Sequence, residues 1–202
     1  MPRFREGWYD SPDFNEVKPH GSFLNSTDIE PRQQPKIIPR SEHTISRANI
    51  SNNALKVLYR LKNAGFSAFI VGGGVRDLLL GRDPKDFDVV TDARPEEVDA
   101  LFRNCRLIGR RFRLAHIRFG RDIVEVATFR ASGAASEDDD RMHDETGRIL
   151  RDNVYGTIDE DVWRRDFTVN ALYYNIADFT LWDCTSGLED IKSRTLRLIG
   201  DP

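Results

Sequence analysis

The chain has 202 residues, 39% of them hydrophobic and 10% aromatic, which is enough for one folded domain plus a tail. Lys and Arg number 30 against 33 Asp and Glu, a net charge of -3. No apolar run approaches the roughly 18 residues that span a bilayer, and the N-terminus lacks the apolar stretch of a signal peptide. The two cysteines, Cys105 and Cys184, have no paired metal-ligand spacing. These features exclude a membrane protein, a disulfide-rich secreted domain and a wholly disordered chain, and they predict a soluble cytoplasmic domain.

Residues 1–47 differ in composition from the rest of the chain. They are rich in proline and polar residues, show no helical or strand periodicity, and carry equal numbers of acidic and basic residues. This composition predicts a flexible leader. We therefore expect two regions, a leader over 1–47 and one folded domain over 48–202.

Helices and strands alternate through the folded region. Ser51 is a suitable N-cap for an amphipathic helix that carries Leu55, Leu58 and Leu61 and ends at Gly65. The remaining predicted elements follow in chain order: a buried strand over 66–71, a short helix over 75–80, a strand over 87–90, a helix over 95–102, a hairpin with strands over 117–119 and 123–129, a mobile acidic loop over 131–150, a helix over 165–173, and strands over 174–176 and 179–182. The pattern predicts a mixed α/β fold, with a β-sheet flanked by helices.

Three glycines, Gly72 to Gly74, separate the first buried strand from the helix that follows. Glycines in this position let the backbone approach a ligand closely, and the start of the helix directs free N–H groups to the same place. Arg76 adds a cationic fork, so Gly72, Gly73 and Arg76 are candidates for binding phosphate. On the glycines alone, an ordinary tight strand-to-helix turn is the favoured interpretation, because short glycine patterns are common.

Asp86 and Asp88 stand two residues apart in an apolar strand setting. Alternate residues of a strand point to the same face, so the two carboxylates project together. Oxygen ligands of this kind suit Mg²⁺. Two surface aspartates at a strand end are the alternative, because the same spacing also occurs in Asp159 and Asp161.

Glu125 is the only acid in the apolar run 123–127. If this strand lies beside that of Asp88, Glu125 becomes a third carboxylate facing the same metal. A solvent-facing glutamate is the other interpretation.

A basic block runs from Arg103 to Arg121, with seven arginines and no acid in 19 residues. In a protein with a negative net charge, such a block favours RNA or a polyphosphate. Phe112, His116 and Phe119 fall among the arginines and could stack on bases. A solvated face whose arginines pair with acids elsewhere is the alternative.

The segment 164–172 brings three more polar candidates. On the predicted helix, Asp166 and Asn170 share one face and Arg165 lies beside them, an arrangement that could bind a ribose and a phosphate. A helix start with Asp166 as its cap explains the same residues without a ligand.

These motifs, taken in order, resemble one family. Their combination is similar to the head domain of class II nucleotidyltransferases, the tRNA CCA-adding enzymes and bacterial poly(A) polymerases. The motifs are Val71–Asp77, Asp86–Asp88, Glu125–Arg130, Arg164–Leu172 and Asp183–Gly200. The resemblance runs from about residue 50 to the end and implies a polymerase-beta-type nucleotidyltransferase head.

The resemblance also implies a chemistry and roles for the candidates. Asp86 and Asp88 would hold two Mg²⁺ ions, with Glu125 as a further metal ligand, and Asp166 would belong to the catalytic site. Gly72, Gly73, Arg76, Arg165 and Asn170 would bind the nucleotide. The expected reaction is template-independent transfer of AMP from ATP to RNA 3′ ends.

The segments 103–116 and 150–156 resemble the poly(A) polymerase branch more than the CCA-adding branch. The match ends before the helical neck and body that family members carry, and the neck is where they select the base. CCA addition to tRNA, or a weakly active nucleotide-binding head that needs a missing RNA-binding part, are therefore the alternatives.

Overall fold

The computed structural model describes residues 34–109, 113–131 and 155–200, together with the backbone of Met142–His143 and Ile149–Arg151. This part belongs to one compact unit that starts at residue 33. Most of the predicted leader and the centre of the predicted acidic loop lie outside the described residues. None of the helices described is long and apolar enough to cross a membrane.

The described secondary structure confirms the predicted mixed α/β class. The strands are β1 Lys36–Ile38, β2 Ala68–Val71, β3 Asp88–Thr91, β4 Cys105–Ile108, β5 Leu114–Phe119, β6 Asp122–Thr128, β7 Met142–His143, β8 Ile149–Arg151, β9 Leu172–Asn175 and β10 Leu181–Asp183. The helices are α1 Asn52–Asn63, α2 Gly73–Leu79, α3 Pro95–Leu101, α4 Ile158–Val162 and α5 Gly187–Ser193.

Eight of these strands form one sheet, in the order β1-β10-β9-β2-β3-β6-β5-β4. Within it β3 and β6 run parallel, while the other neighbours are antiparallel. The turn between β5 and β6 is the predicted hairpin, with Gly120 at φ +65°. β7 and β8 pair with each other within the segment predicted as a mobile loop.

Each face of the sheet covers a separate hydrophobic cluster. On one face, the amphipathic helix α1 buries Leu58 and Leu61 against β2 and β6, and α3 packs beside it. The Ser51 Oγ accepts a hydrogen bond from the Ala54 N–H, as the predicted cap requires. On the other face, Phe69, Val71 and Val90 of the central strands pack against Val162 of α4 and Tyr173 of β9.

The fold already includes residues 36–47, which the sequence analysis assigns to the flexible leader. Instead of belonging to a flexible segment, Lys36–Ile38 is an edge strand paired with β10. Ile38 and Ile45 are 2% and 1% exposed, within the core. The partner strand lies far away in sequence, so the local composition on which the prediction relied holds no sign of the pairing.

The helix predicted over 165–173 is also wrong. Only Thr168–Asn170 forms a short 3-10 turn, and Leu172 already begins β9. Two long-range hydrogen bonds keep this segment from forming a helix. The Thr168 N–H donates to the Arg197 carbonyl, and the Ile199 N–H donates to the Asp166 carbonyl. These long-range hydrogen bonds replace the helical ones that the local pattern predicts.

Gly187, at the start of α5, allows that helix to pack on the 3-10 turn. A Cβ at this position would lie 2.2 Å from the Thr168 carbonyl oxygen, a backbone atom that cannot turn aside. We expect Gly187→Ala to lower the free energy of unfolding by about 1–3 kcal/mol through overpacking. Urea denaturation measures this loss, with Lys192→Ala on an exposed position of the same helix as the control. Equal stability of the two variants would contradict the tight packing.

Candidate active site

Two carboxylates face each other across the central strands. Asp88 is the first residue of β3, and Glu125 of β6 lies directly opposite it in the parallel register. The strand neighbourhood required for the three-carboxylate hypothesis is therefore present. Asp86 precedes the strand, and all three residues line one open cavity of about 630 Å³.

The charges of this group act on each other. Loss of hydration raises the pKa of the Asp88 carboxyl, and the negative charges of Glu125 and Asp86 raise it further. The nearby Arg165 guanidinium opposes this shift and lowers the pKa. The two acids that act on Asp88 place negative charge beside it, and a cation is stabilised in such an environment.

The carboxylates do not form a complete metal site by themselves. Among the residues that the structure describes, no group of three or more His, Cys, Asp or Glu side chains is placed to hold an ion. Glu125 lies 3.2 Å from the imidazole of His116, between its Oε1 and the ring Nε2. An all-oxygen site with few protein ligands still fits Mg²⁺, which takes one or two carboxylates and completes its shell with water and substrate phosphates.

Gly72 brings the backbone close to this group. It has φ +69°, and a Cβ there would lie 3.4 Å from Oδ2 of Asp88. The helix α2 begins directly after it at Gly73, two residues earlier than predicted. Glycine thus satisfies both the positive φ and the close approach, which connects the predicted phosphate-binding turn to the carboxylates.

Arg76 and Asn170 come from distant segments and form a direct contact. Arg76 Nη1 donates to the Asn170 side-chain oxygen at 2.8 Å, and the same guanidinium pairs with Asp77. The Asn170 amide lies 3.4 Å from Oδ1 of Asp166. The 3-10 turn therefore places Asp166 and Asn170 side by side, although the predicted helix is absent.

The Arg165 side chain is hydrogen-bonded to two other side chains of the protein. Its Nε donates to the Tyr173 hydroxyl at 2.7 Å, and its Nη2 lies 3.0 Å from Oδ2 of Asp161. The Tyr173 hydroxyl in turn donates to the same oxygen of Asp161, at 2.7 Å. Burial and the Asp161 charge raise the pKa of the tyrosine, so it remains the donor.

Sequence reasoning missed both partners of Arg165. Asp161 belongs to an acidic pattern that is typical of an exposed helix start, yet its side chain is buried. Tyr173 lies within an apolar run. One available signal was that a buried arginine needs a buried acid, but the sequence does not show that Arg165 is buried.

The described arginines of the basic block differ in exposure and in pairing. Arg106 and Arg118 are exposed, whereas Arg113 forms an ion pair with Glu96. Phe119 is partly buried and packs against the core. Phe112 lies outside the described residues, and His116 contacts Glu125.

Most of the chain is similar in sequence to known proteins. The family model "Poly A polymerase head domain" matches residues 68–197. Poly(A) polymerase I of Escherichia coli O6:H1 is 58% identical over 173 residues, which cover 85% of this chain. That alignment covers 37% of the relative, so this chain spans little more than a third of its length.

Two solved structures are also similar. A CCA-adding enzyme of Bacillus stearothermophilus in complex with CTP is 33% identical, with a TM-score of 0.56 over 73% of this chain and 33% of its own. A tRNA nucleotidyltransferase complexed with a primer tRNA and an incoming ATP analog is 30% identical, with a TM-score of 0.53 over 71% of this chain and 39% of its own. The family match over residues 68–197 includes Asp86, Asp88 and Glu125.

Proposed function

The chain belongs to the poly A polymerase head-domain family, and from this premise we propose that it transfers AMP from ATP to the 3′ ends of RNA without a template. The relative named poly(A) polymerase I supports adenylyl transfer in particular, at 58% identity over most of the chain. The single structural observation that carries the proposal is the opposition of Asp88 and Glu125 beside Gly72.

We propose that Asp86 and Asp88, with Glu125 as a further ligand, hold two Mg²⁺ ions. When bound, the ions would lower the pKa of the RNA 3′-hydroxyl and neutralise the charge of the departing pyrophosphate. The pairing of Asp88 with Glu125 supports this role, because the negative charges of Glu125 and Asp86 act on Asp88 and a cation relieves that repulsion.

The remaining residues orient the reactants. Gly72 and Gly73 allow the triphosphate to approach the backbone next to Asp88, and Arg76 donates to its oxygens. The amide of Asn170 and the carboxylate of Asp166, which lie side by side, bind the ribose. Arg165, held by Asp161 and Tyr173, contributes positive charge near Asp88 rather than a flexible ligand. Such positioning lowers the barrier to in-line attack on the α-phosphorus.

CCA addition to tRNA is the second candidate, because the similar solved structures are named as a CCA-adding enzyme with CTP and a tRNA nucleotidyltransferase. Their identities of 33% and 30% are well below the 58% of the poly(A) polymerase relative. A nucleotide-binding head that requires a further RNA-binding part is the third.

Extension of a 5′-labelled RNA, with Mg²⁺ and each nucleoside triphosphate supplied separately, distinguishes these functions. We expect extension with ATP and little with CTP, GTP or UTP. Addition of C residues to a tRNA lacking its terminus, in place of adenylation, would establish the second candidate. Magnesium-dependent ATP binding with no extension of either RNA would establish the third.

A further inference from the structure

We propose that the acceptor RNA reaches the site across the exposed face of β4, β5 and β6, with its phosphates bound by Arg106 and Arg118. This inference rests on the proposed function, because it assigns a path to the acceptor of that reaction. We call the surface formed by these two arginines and Ile123 the RNA track.

The sheet register connects the track to the carboxylates. Arg106 lies opposite His116, His116 opposite Glu125, and Glu125 opposite Asp88. Directly paired residues share a face, and neighbouring strands lie about 4.8 Å apart. The backbone of Arg106 is therefore about 14 Å from that of Asp88, a distance spanned by the last few nucleotides of an extended strand.

Arg118 lies on the same face, two residues along β5 from His116. Opposite it on β6 is Ile123, whose side chain is 42% exposed. The intervening residues of these strands, including Ala115, Ile117 and Val124, are buried on the other face. The alternation therefore leaves two arginines and one apolar side chain exposed beside the third carboxylate.

Both arginines are available to bind a ligand. Within the described ranges, neither Arg106 nor Arg118 forms an ion pair with an acid, whereas Arg113 pairs with Glu96. An exposed, unpaired guanidinium binds phosphate through a charge-assisted fork. Ile123, paired with Arg118 on β6, adds an apolar surface for a base or ribose on the side nearer the carboxylates.

The two flanks of the carboxylates differ in what they can bind. On the β2 side, Gly72 lies next to Asp88 and Arg76 follows in α2, and both suit the compact triphosphate. On the β6 side, the arginines are spaced along the sheet, as an extended phosphate backbone requires. The carboxylates stand between the flanks, so the RNA 3′-hydroxyl and the α-phosphorus meet there from opposite sides. Because the contacts are to phosphates, binding does not depend on RNA sequence.

The test compares Arg106→Ala/Arg118→Ala with Lys36→Ala/Lys192→Ala, which removes the same charge at exposed positions outside the track. A 5′-labelled single-stranded oligoadenylate and ATP are each titrated with the full chain over a range of salt concentrations. We expect the arginine variant to bind the RNA about tenfold more weakly at low salt, with ATP binding unchanged. Its salt dependence of log K should be shallower by about 1.4, because each lost phosphate contact removes about 0.7.

Arg106→Lys/Arg118→Lys keeps the charge and should retain most of the salt dependence. Thermal melts show whether each variant folds as the wild type does, and each arginine is also replaced singly. Equal RNA affinities of Arg106→Ala/Arg118→Ala and Lys36→Ala/Lys192→Ala would overturn the track. So would failure of the wild-type chain to bind the oligoadenylate.

The proposed function and the track fail in different ways. RNA binding that depends on the arginines, without extension by any nucleotide, would retain the track and overturn the activity. Extension by ATP with an unchanged KM for RNA in the arginine variant would retain the activity and overturn the track.

Discussion

The double substitution Asp86→Asn/Asp88→Asn is expected to reduce adenylyl transfer by a factor of about a thousand or more. The loss corresponds to the several kcal/mol that charge neutralisation at the transferring phosphoryl group supplies. Single-turnover extension of labelled RNA measures it. Asp83→Asn is the matched control, an exposed aspartate in the same loop.

The single substitution Asp88→Asn should not weaken the fold. Because burial and the neighbouring acids raise the pKa of Asp88 above its usual value, its ionised form is disfavoured in the metal-free protein. Protonated Asp88 stabilises the folded state at pH values below the pKa that it has in the unfolded chain. This stabilisation disappears as the pH rises through the pKa of Asp88 in the folded protein. At neutral pH Asp88→Asn should therefore equal or exceed the wild type in stability, by no more than about 1 kcal/mol because solvent screens this carboxyl. A large loss of stability would show that Asp88 has a structural role instead.

The substitution Asp161→Asn is expected to have the largest effect on stability, a loss of about 3 kcal/mol or more. It leaves the Arg165 guanidinium, which is 20% exposed, without its acid, and an uncompensated charge in the interior is costly. It also replaces one carboxylate oxygen by an amide NH2, so the side chain can no longer accept from both the Tyr173 hydroxyl and the Arg130 N–H. Urea denaturation at neutral pH measures the loss.

Asp159→Asn provides the control, since it removes an equal charge from an exposed position of the same helix. Its effect should be within about 0.5 kcal/mol of zero, as for most surface substitutions. Similar losses in the two variants would contradict the assignment of Asp161 as the partner that holds Arg165.

The local patterns were sufficient for most of the central region. The cap at Ser51, the buried strand before Gly72 and the alternation around Glu125 each depend on neighbouring residues, and the structure confirms these elements. The adjacency of Asp88 and Glu125 could be stated only as a condition, because register is a property of the sheet. Their proposed roles and those of the other site residues stay predictions.

The errors share one physical cause. The edge strand β1 and the open segment at Thr168 are both fixed by partners near the C-terminal end of the described chain, β10 and Arg197. The buried network of Asp161, Arg165 and Tyr173 likewise depends on how α4 packs on the sheet. Local periodicity contains no information on such contacts.

The most direct test of the central claim is the ratio of pyrophosphate released to AMP incorporated into RNA, measured with the wild-type chain and with Asp86→Asn/Asp88→Asn. We expect one pyrophosphate per AMP added for the wild type, dependence on Mg²⁺, and loss of both products in the variant. Phosphate in place of pyrophosphate, or equal incorporation by the variant, would contradict it.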